Sequence, residues 1–125
     1  MNKFLKIAKE IGWEQIEENI LVFRSRDKDK NGYYSINFVT CSSYDNFDLN
    51  DERISKDFVK NYIMKICCSN KCKEENLNWV EPLIISDYFA HRLDYEKELI
   101  WAKKAMKENP KLNIEQFSKQ IRTEL

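Results

Sequence analysis

The chain holds one histidine, His91, and it stands in the run Asp87, His91, Asp94 and Glu98. Spacings of four, three and four residues place these side chains in one sector of a helix. Three carboxylates beside one imidazole could hold a divalent metal or perform general acid–base chemistry. The same four residues also read as a solvated face carrying an Asp87–His91 i,i+4 pair. Nothing else converges on that sector. The two glycines, Gly12 and Gly32, lie far apart, so there is no glycine-rich phosphate loop. No serine or cysteine sits in a recognisable nucleophile context, and no catalytic residue is assigned.

Asp27, Asp29, Asn31 and Gly32 match the first half of a calcium loop, D-x-D-x-N-G. Such a loop needs a bidentate carboxylate at its twelfth position, which here is Phe38. The flanks are strand-like, and the segment reads as a hairpin turn. Cys67, Cys68 and Cys72 cluster, and Cys41 could complete a four-sulfur set. Zinc sites prefer paired C-x-x-C knuckles or paired histidines, and this spacing supplies neither. No metal or other cofactor is assigned.

Two surfaces remain. Arg24, Arg26, Lys28 and Lys30 approach the hairpin turn and are followed by Tyr33 and Tyr34, a pattern that could grip single-stranded nucleic acid. Asp27 and Asp29 interrupt that charge. Downstream, Tyr44, Asp45, Phe47, Asp48, Asp51 and Glu52 combine aromatic and acidic groups, which suits contact with a basic protein surface.

The elements that must position these groups follow from periodicity. Phe4, Ile7, Ala8 and Ile11 repeat at helical spacing over residues 2–11, and Gly12 can end that helix. Trp13–Ile16 adds a short strand, turning at 17–19. Residues 20–26 and 33–41 are β-branched and aromatic, and read as paired strands around Asn31-Gly32. Tyr34, Ile36 and Phe38 share the face taken as the core face. A polar loop over 42–50 leads to a helix over 51–69 with the row Ile54, Phe58, Tyr62 and Ile66, widened by Val59 and Ile63. Residues 70–78 read as a solvated connection. The run 79–85 reads as an edge strand or an extended lead, because Pro82 disfavours an interior position.

A long helix over 86–109 is the expected centre of the fold. Ser86 can cap it, Asp87 and the lysines at 103, 104 and 107 suit its dipole, and Pro110 stops it. Its apolar residues fall in two stripes, Tyr88–Tyr95–Leu99–Ala102–Met106 and Phe89–Leu93–Ile100, so packing on two sides is expected. Asn113 and Gln116 make a capping box for a last helix lined by Ile114, Phe117, Ile121 and Leu125.

The whole is expected to be an α+β fold, a small antiparallel meander with about four helices in a single compact domain over 1–125. Formal net charge is +0, and neither half is basic, so bulk electrostatics does not favour nucleic acid or an anionic membrane. No apolar run approaches the roughly 20 residues of a membrane span. The first residues, MNKFLKIAKEIGW, mix lysine and glutamate into the apolar pattern, unlike a signal peptide. A cytoplasmic setting with reduced thiols is the expectation.

By elimination, the favoured function is a non-catalytic protein-binding module, a small inhibitor or regulator of a larger protein. The acidic loop 44–52 is its expected interface. Phage or mobile-element antagonists and toxin-immunity proteins share this size and charge balance, an analogy of type. A nucleic-acid-binding accessory protein using the Arg24–Tyr34 hairpin stands second, and a metal-dependent enzyme around His91 third.

Overall fold

A computed structural model of the chain describes residues 3–40 and 50–125. They form an α+β fold with a four-stranded antiparallel sheet and five α-helices. They divide into two compact units, Met1–Lys71 and Cys72–Leu125.

The first unit opens with helix α1 (Lys3–Glu10), which buries Phe4, Ile7 and Ala8 as their spacing requires. Strands β1 (Glu14–Glu17), β2 (Ile20–Arg24) and β3 (Tyr34–Thr40) follow as antiparallel neighbours. Helix α2 (Lys56–Ile66) and strand β4 (Cys68–Cys72), all but its last residue, complete the unit, and the sheet order is β1-β2-β3-β4. The hairpin between β2 and β3 is organised by Asp29. Its Oδ1 accepts the backbone N–H groups of Asn31 at 2.8 Å and Tyr33 at 3.0 Å. Gly32 supplies the positive φ, +85°, that the turn needs.

Two expectations change here. The helix expected over 51–69 begins only at Lys56, because the Ser55 hydroxyl caps it by accepting the Phe58 N–H at 3.1 Å. It stops at Ile66, where Cys67 turns extended, and the next residues form β4 rather than a solvated connection. β4 carries no apolar alternation, so pairing with the sheet decides it. Lys71 near its end binds Asp29 Oδ2 at 3.1 Å, beside the start of β3, as antiparallel pairing demands.

The expected core face is one of two buried faces. Ile36 and Phe38 are buried and Tyr34 is only half-buried. Helices α1 and α2 pack on the opposite face, where Leu21 and Val39 join Phe4, Ile7, Trp13, Val59 and Ile63. Both faces of β2 and β3 are therefore buried, which explains the uninterrupted apolar run Ile20-Leu21-Val22.

The second unit contains helices α3 (Leu77–His91), α4 (Tyr95–Glu108) and the short α5 (Lys119–Arg122). The run 79–85, expected to be extended, is the body of α3 with Pro82 inside it. Proline there removes one helical hydrogen bond. Pro82 is itself buried, and tertiary packing overrides the local preference.

The residues expected to form one helix over 86–109 are helical apart from a turn at 92–94, so two helices replace one. Leu93 adopts φ +60° and Asp94 caps α4, its side chain accepting the Lys97 N–H at 3.2 Å. The two apolar stripes thus belong partly to different helices. α3 and α4 pack on each other, and the Ser86 hydroxyl donates to the Glu98 main-chain oxygen at 3.0 Å across that contact. Ala102, Phe117 and Ile121 form the buried cluster beneath α5, joined by Leu83, Tyr95, Leu99 and Met106. The last helix is shorter than expected. Asn113 caps a single 3₁₀ turn over Ile114–Gln116, leaving Ile114 exposed, before α5 begins.

Leu93 is 70% exposed, so its side chain contributes little burial while its backbone is held left-handed. Leu93→Gly is expected to raise stability by about 1 kcal/mol, because glycine adopts this φ without the Cβ clash. Thermal or denaturant unfolding checks it.

Candidate binding cleft

The first unit offers a ligand an apolar cleft of about 540 Å³. Phe23 of β2, Asn37 of β3 and Ser69 of β4 contribute from the sheet, and Phe23 and Asn37 are register partners. Ile11 and Trp13 wall it at the end of α1. Lys60, Ile63, Met64 and Cys67 wall it from α2 and its cap. Its volume falls in the range of roughly 300–1,000 Å³ typical of binding pockets, and its lining has the usual character of apolar walls with few polar groups.

Local chemistry shapes this cleft. Gly12 has φ +109°, and a Cβ there would stand 2.8 Å from Phe23 Cε2. The glycine thus lets the chain pass over the Phe23 ring, which leans against Trp13 with centroids 5.4 Å apart and planes tilted by 48°. Asn37 is oriented by donating from Nδ2 to the Phe23 carbonyl at 3.4 Å. Met64 stands 77% exposed, an apolar side chain on the solvent side of α2. Sequence reasoning did not find this site. The available signal was Met64 itself, which falls outside the apolar row of its helix and shares a stripe with Lys60.

The other candidate residues are distributed as follows. Tyr44, Asp45, Phe47 and Asp48 of the expected protein interface, and Cys41, lie outside the described residues. Asp51 holds Arg53 in a fork, Oδ1 to Nε at 3.0 Å and Oδ2 to Nη2 at 2.6 Å. Those hydrogen bonds hold the Asp51 carboxyl down to about 2. The Glu52 main-chain oxygen accepts from Lys3.

On the hairpin, Arg24 pairs with Glu14 and the Lys28 ammonium sits 6.0 Å from the Tyr34 ring centroid. Tyr33 and Tyr34 are half-buried, while Arg26 and Lys30 are exposed beside Asp27 and Asp29. The basic groups are therefore interleaved with acids rather than gathered in a patch. Asp29 is occupied by Tyr33, Asn31 and Lys71, and these hydrogen bonds, the Tyr33 N–H foremost, lower its pKa. The calcium-like D-x-D-x-N-G segment is a hairpin whose central carboxylate already serves protein donors.

The residues of the sector Asp87, His91, Asp94 and Glu98 have different local partners. Asp94 is a helix cap. Glu98 is buried, at 1% exposure, although the periodicity placed it on a solvated face. Its carboxylate accepts the Ser118 N–H at 2.9 Å and the Ser118 hydroxyl. Among the described residues, no three or more His, Cys, Asp or Glu side chains are grouped to hold a metal. Cys67, Cys68 and Cys72 are free thiols, and burial pushes the Cys72 thiol up.

His91 is exposed. Its Nδ1–H donates to the Asp87 carbonyl at 2.8 Å, and Nδ1 lies 3.6 Å from Asp87 Oδ2. Both contacts favour the imidazolium, the carbonyl more, and raise the pKa above 6.5. The pair stabilises the fold fully below pH 6.5, and that contribution fades as pH rises through the raised value. Asp87→Asn is expected to lower the His91 pKa measured by NMR while leaving it above 6.5, since the larger cause is the main-chain acceptor.

Comparison of the chain with known proteins finds no matching family model, no matching curated protein and no matching solved structure. Among the described residues no helix is long and apolar enough to cross a membrane.

Proposed function

We propose that the chain is a non-catalytic protein-binding module, a small inhibitor or regulator, and that it docks through the cleft between α2 and the sheet. The observation that carries this reading is Met64, strongly exposed at the edge of an apolar cleft of about 540 Å³. Interfaces are enriched in methionine and aromatic groups, and their energy concentrates where one large side chain fills a desolvated pocket. Trp13, Phe23 and Ile63 supply such a socket, and flexible methionine can repack around an incoming group. The interface proposed here is this cleft rather than the acidic loop 44–52.

The test is capture from a lysate of the cells that carry the gene, with and without nuclease, by wild type and by Met64→Lys. A partner that survives nuclease and binds about thirtyfold more weakly to Met64→Lys is expected, a loss of about 2 kcal/mol at a central contact. Undiminished capture by Met64→Lys overturns the cleft as the docking site. Capture that disappears with nuclease, or on Arg26→Glu with Lys30→Glu, supports the hairpin nucleic-acid reading instead.

A further inference from the structure

We infer that the segment entering the cleft is acidic: a large apolar side chain flanked by carboxylates on a protein partner. This rests on the docking reading above and adds the partner's chemistry. Helix α2 walls the cleft and α1 ends beside it; together they carry Lys3, Lys6, Lys9, Lys56, Lys60 and Lys65 against only Glu10 and Asp57. Five of those lysines are exposed, at positions 6, 9, 56, 60 and 65. The whole chain has formal net charge +0, so this helical layer concentrates positive charge that the rest of the chain balances.

Among the described residues Lys60 is the one charged group lining the cleft, and Lys56 lies one turn before it on the same stripe of α2. Inside, Asn37 and Ser69 are neutral. A segment with carboxylates beside its apolar anchor would seat the anchor between Trp13, Phe23 and Ile63 while its charges meet Lys60 and Lys56. A lysine-flanked segment would meet like charge there, which is how charge arrangement rejects wrong partners and speeds right ones. A polyanion such as a nucleic acid would also meet the lysines. It brings phosphates rather than an aliphatic anchor, so the apolar lining favours a protein segment.

The full chain, labelled at methionine methyls and tryptophan indoles, is titrated with two capped hexapeptides. Each has Leu-Phe at its centre, flanked by glutamates in one and by lysines in the other. The acidic peptide is expected to shift the Met64 methyl and the Trp13 indole at concentrations at least about tenfold lower than the basic one, with the gap narrowing as salt rises. Lys56→Glu with Lys60→Glu, both at exposed positions, is expected to invert the order.

Equal binding of the two peptides, stronger binding of the basic one, or an order unchanged by the charge reversal overturns the inference. So does an absence of shifts with either peptide, in which case the docking reading still stands or falls by Met64→Lys capture. A single-stranded oligonucleotide that shifts the lysine-bearing helices more tightly than the acidic peptide, without moving the Met64 methyl, assigns the basic layer to nucleic acid and also overturns it.

Discussion

Phe4→Ala is expected to destabilise the first unit by about 3–5 kcal/mol, the range for truncating a buried phenylalanine. Phe4 is 0% exposed and sits in one cluster with Ile7, Leu21, Val39, Val59 and Ile63. Its ring meets Tyr62 edge to face, with centroids 6.1 Å apart and planes at 89°. One side chain thus joins α1, α2 and the sheet, and alanine would leave a cavity among elements that are not adjacent in sequence. The expected loss is a large share of a typical domain stability of roughly 5–15 kcal/mol. Denaturant unfolding with an unchanged slope measures it. A loss below about 1 kcal/mol would mean that α1 is not docked on the sheet in solution.

Glu98→Ala is expected to cost about 3 kcal/mol in the second unit. The carboxylate accepts from both the main-chain N–H and the hydroxyl of Ser118, and hydrogen bonds to charged groups each contribute about 1.5–3 kcal/mol. Truncation leaves two donors of half-buried Ser118 without their acceptor, which is the expensive way to lose a hydrogen bond. Ser118→Ala removes only the hydroxyl and should cost less. A double-mutant cycle between the two positions is expected to show a coupling above about 1 kcal/mol. Additive losses, or a Glu98→Ala cost near zero, would refute the assigned role.

Much of the fold was legible because it rests on local chemistry. The apolar spacing of Phe4, Ile7 and Ala8 marks α1. The β-branched runs mark β2 and β3, and Asn31-Gly32 marks the turn between them. Those signals act within a few residues, so they survive without knowledge of neighbours. Ser55 is equally local and readable as a cap, yet the expected helix starts at Asp51, five residues ahead of Lys56. Asp51 is instead engaged with Arg53 ahead of that cap.

The sequence by itself thus determined the α+β class, the β1–β3 meander and the amphipathic helices that pack on it. It also presented Asp87 and His91 as a helical pair. Tertiary structure decided the rest. It made an edge strand of Cys68–Cys72, whose side chains alone do not encode a strand, because β3 offers unpaired backbone groups. It kept Pro82 inside α3, where burial outweighs one missing hydrogen bond. It folded the 86–109 segment back at Leu93 so that α3 and α4 bury each other's apolar stripes, and it drew Glu98 inward to Ser118. It also assembled the cleft, whose lining residues run from Ile11 to Ser69 and converge only when α2 closes over the sheet. A periodic pattern tells which side of one element is apolar, whereas a cavity depends on the distance between elements, which no single element's pattern contains.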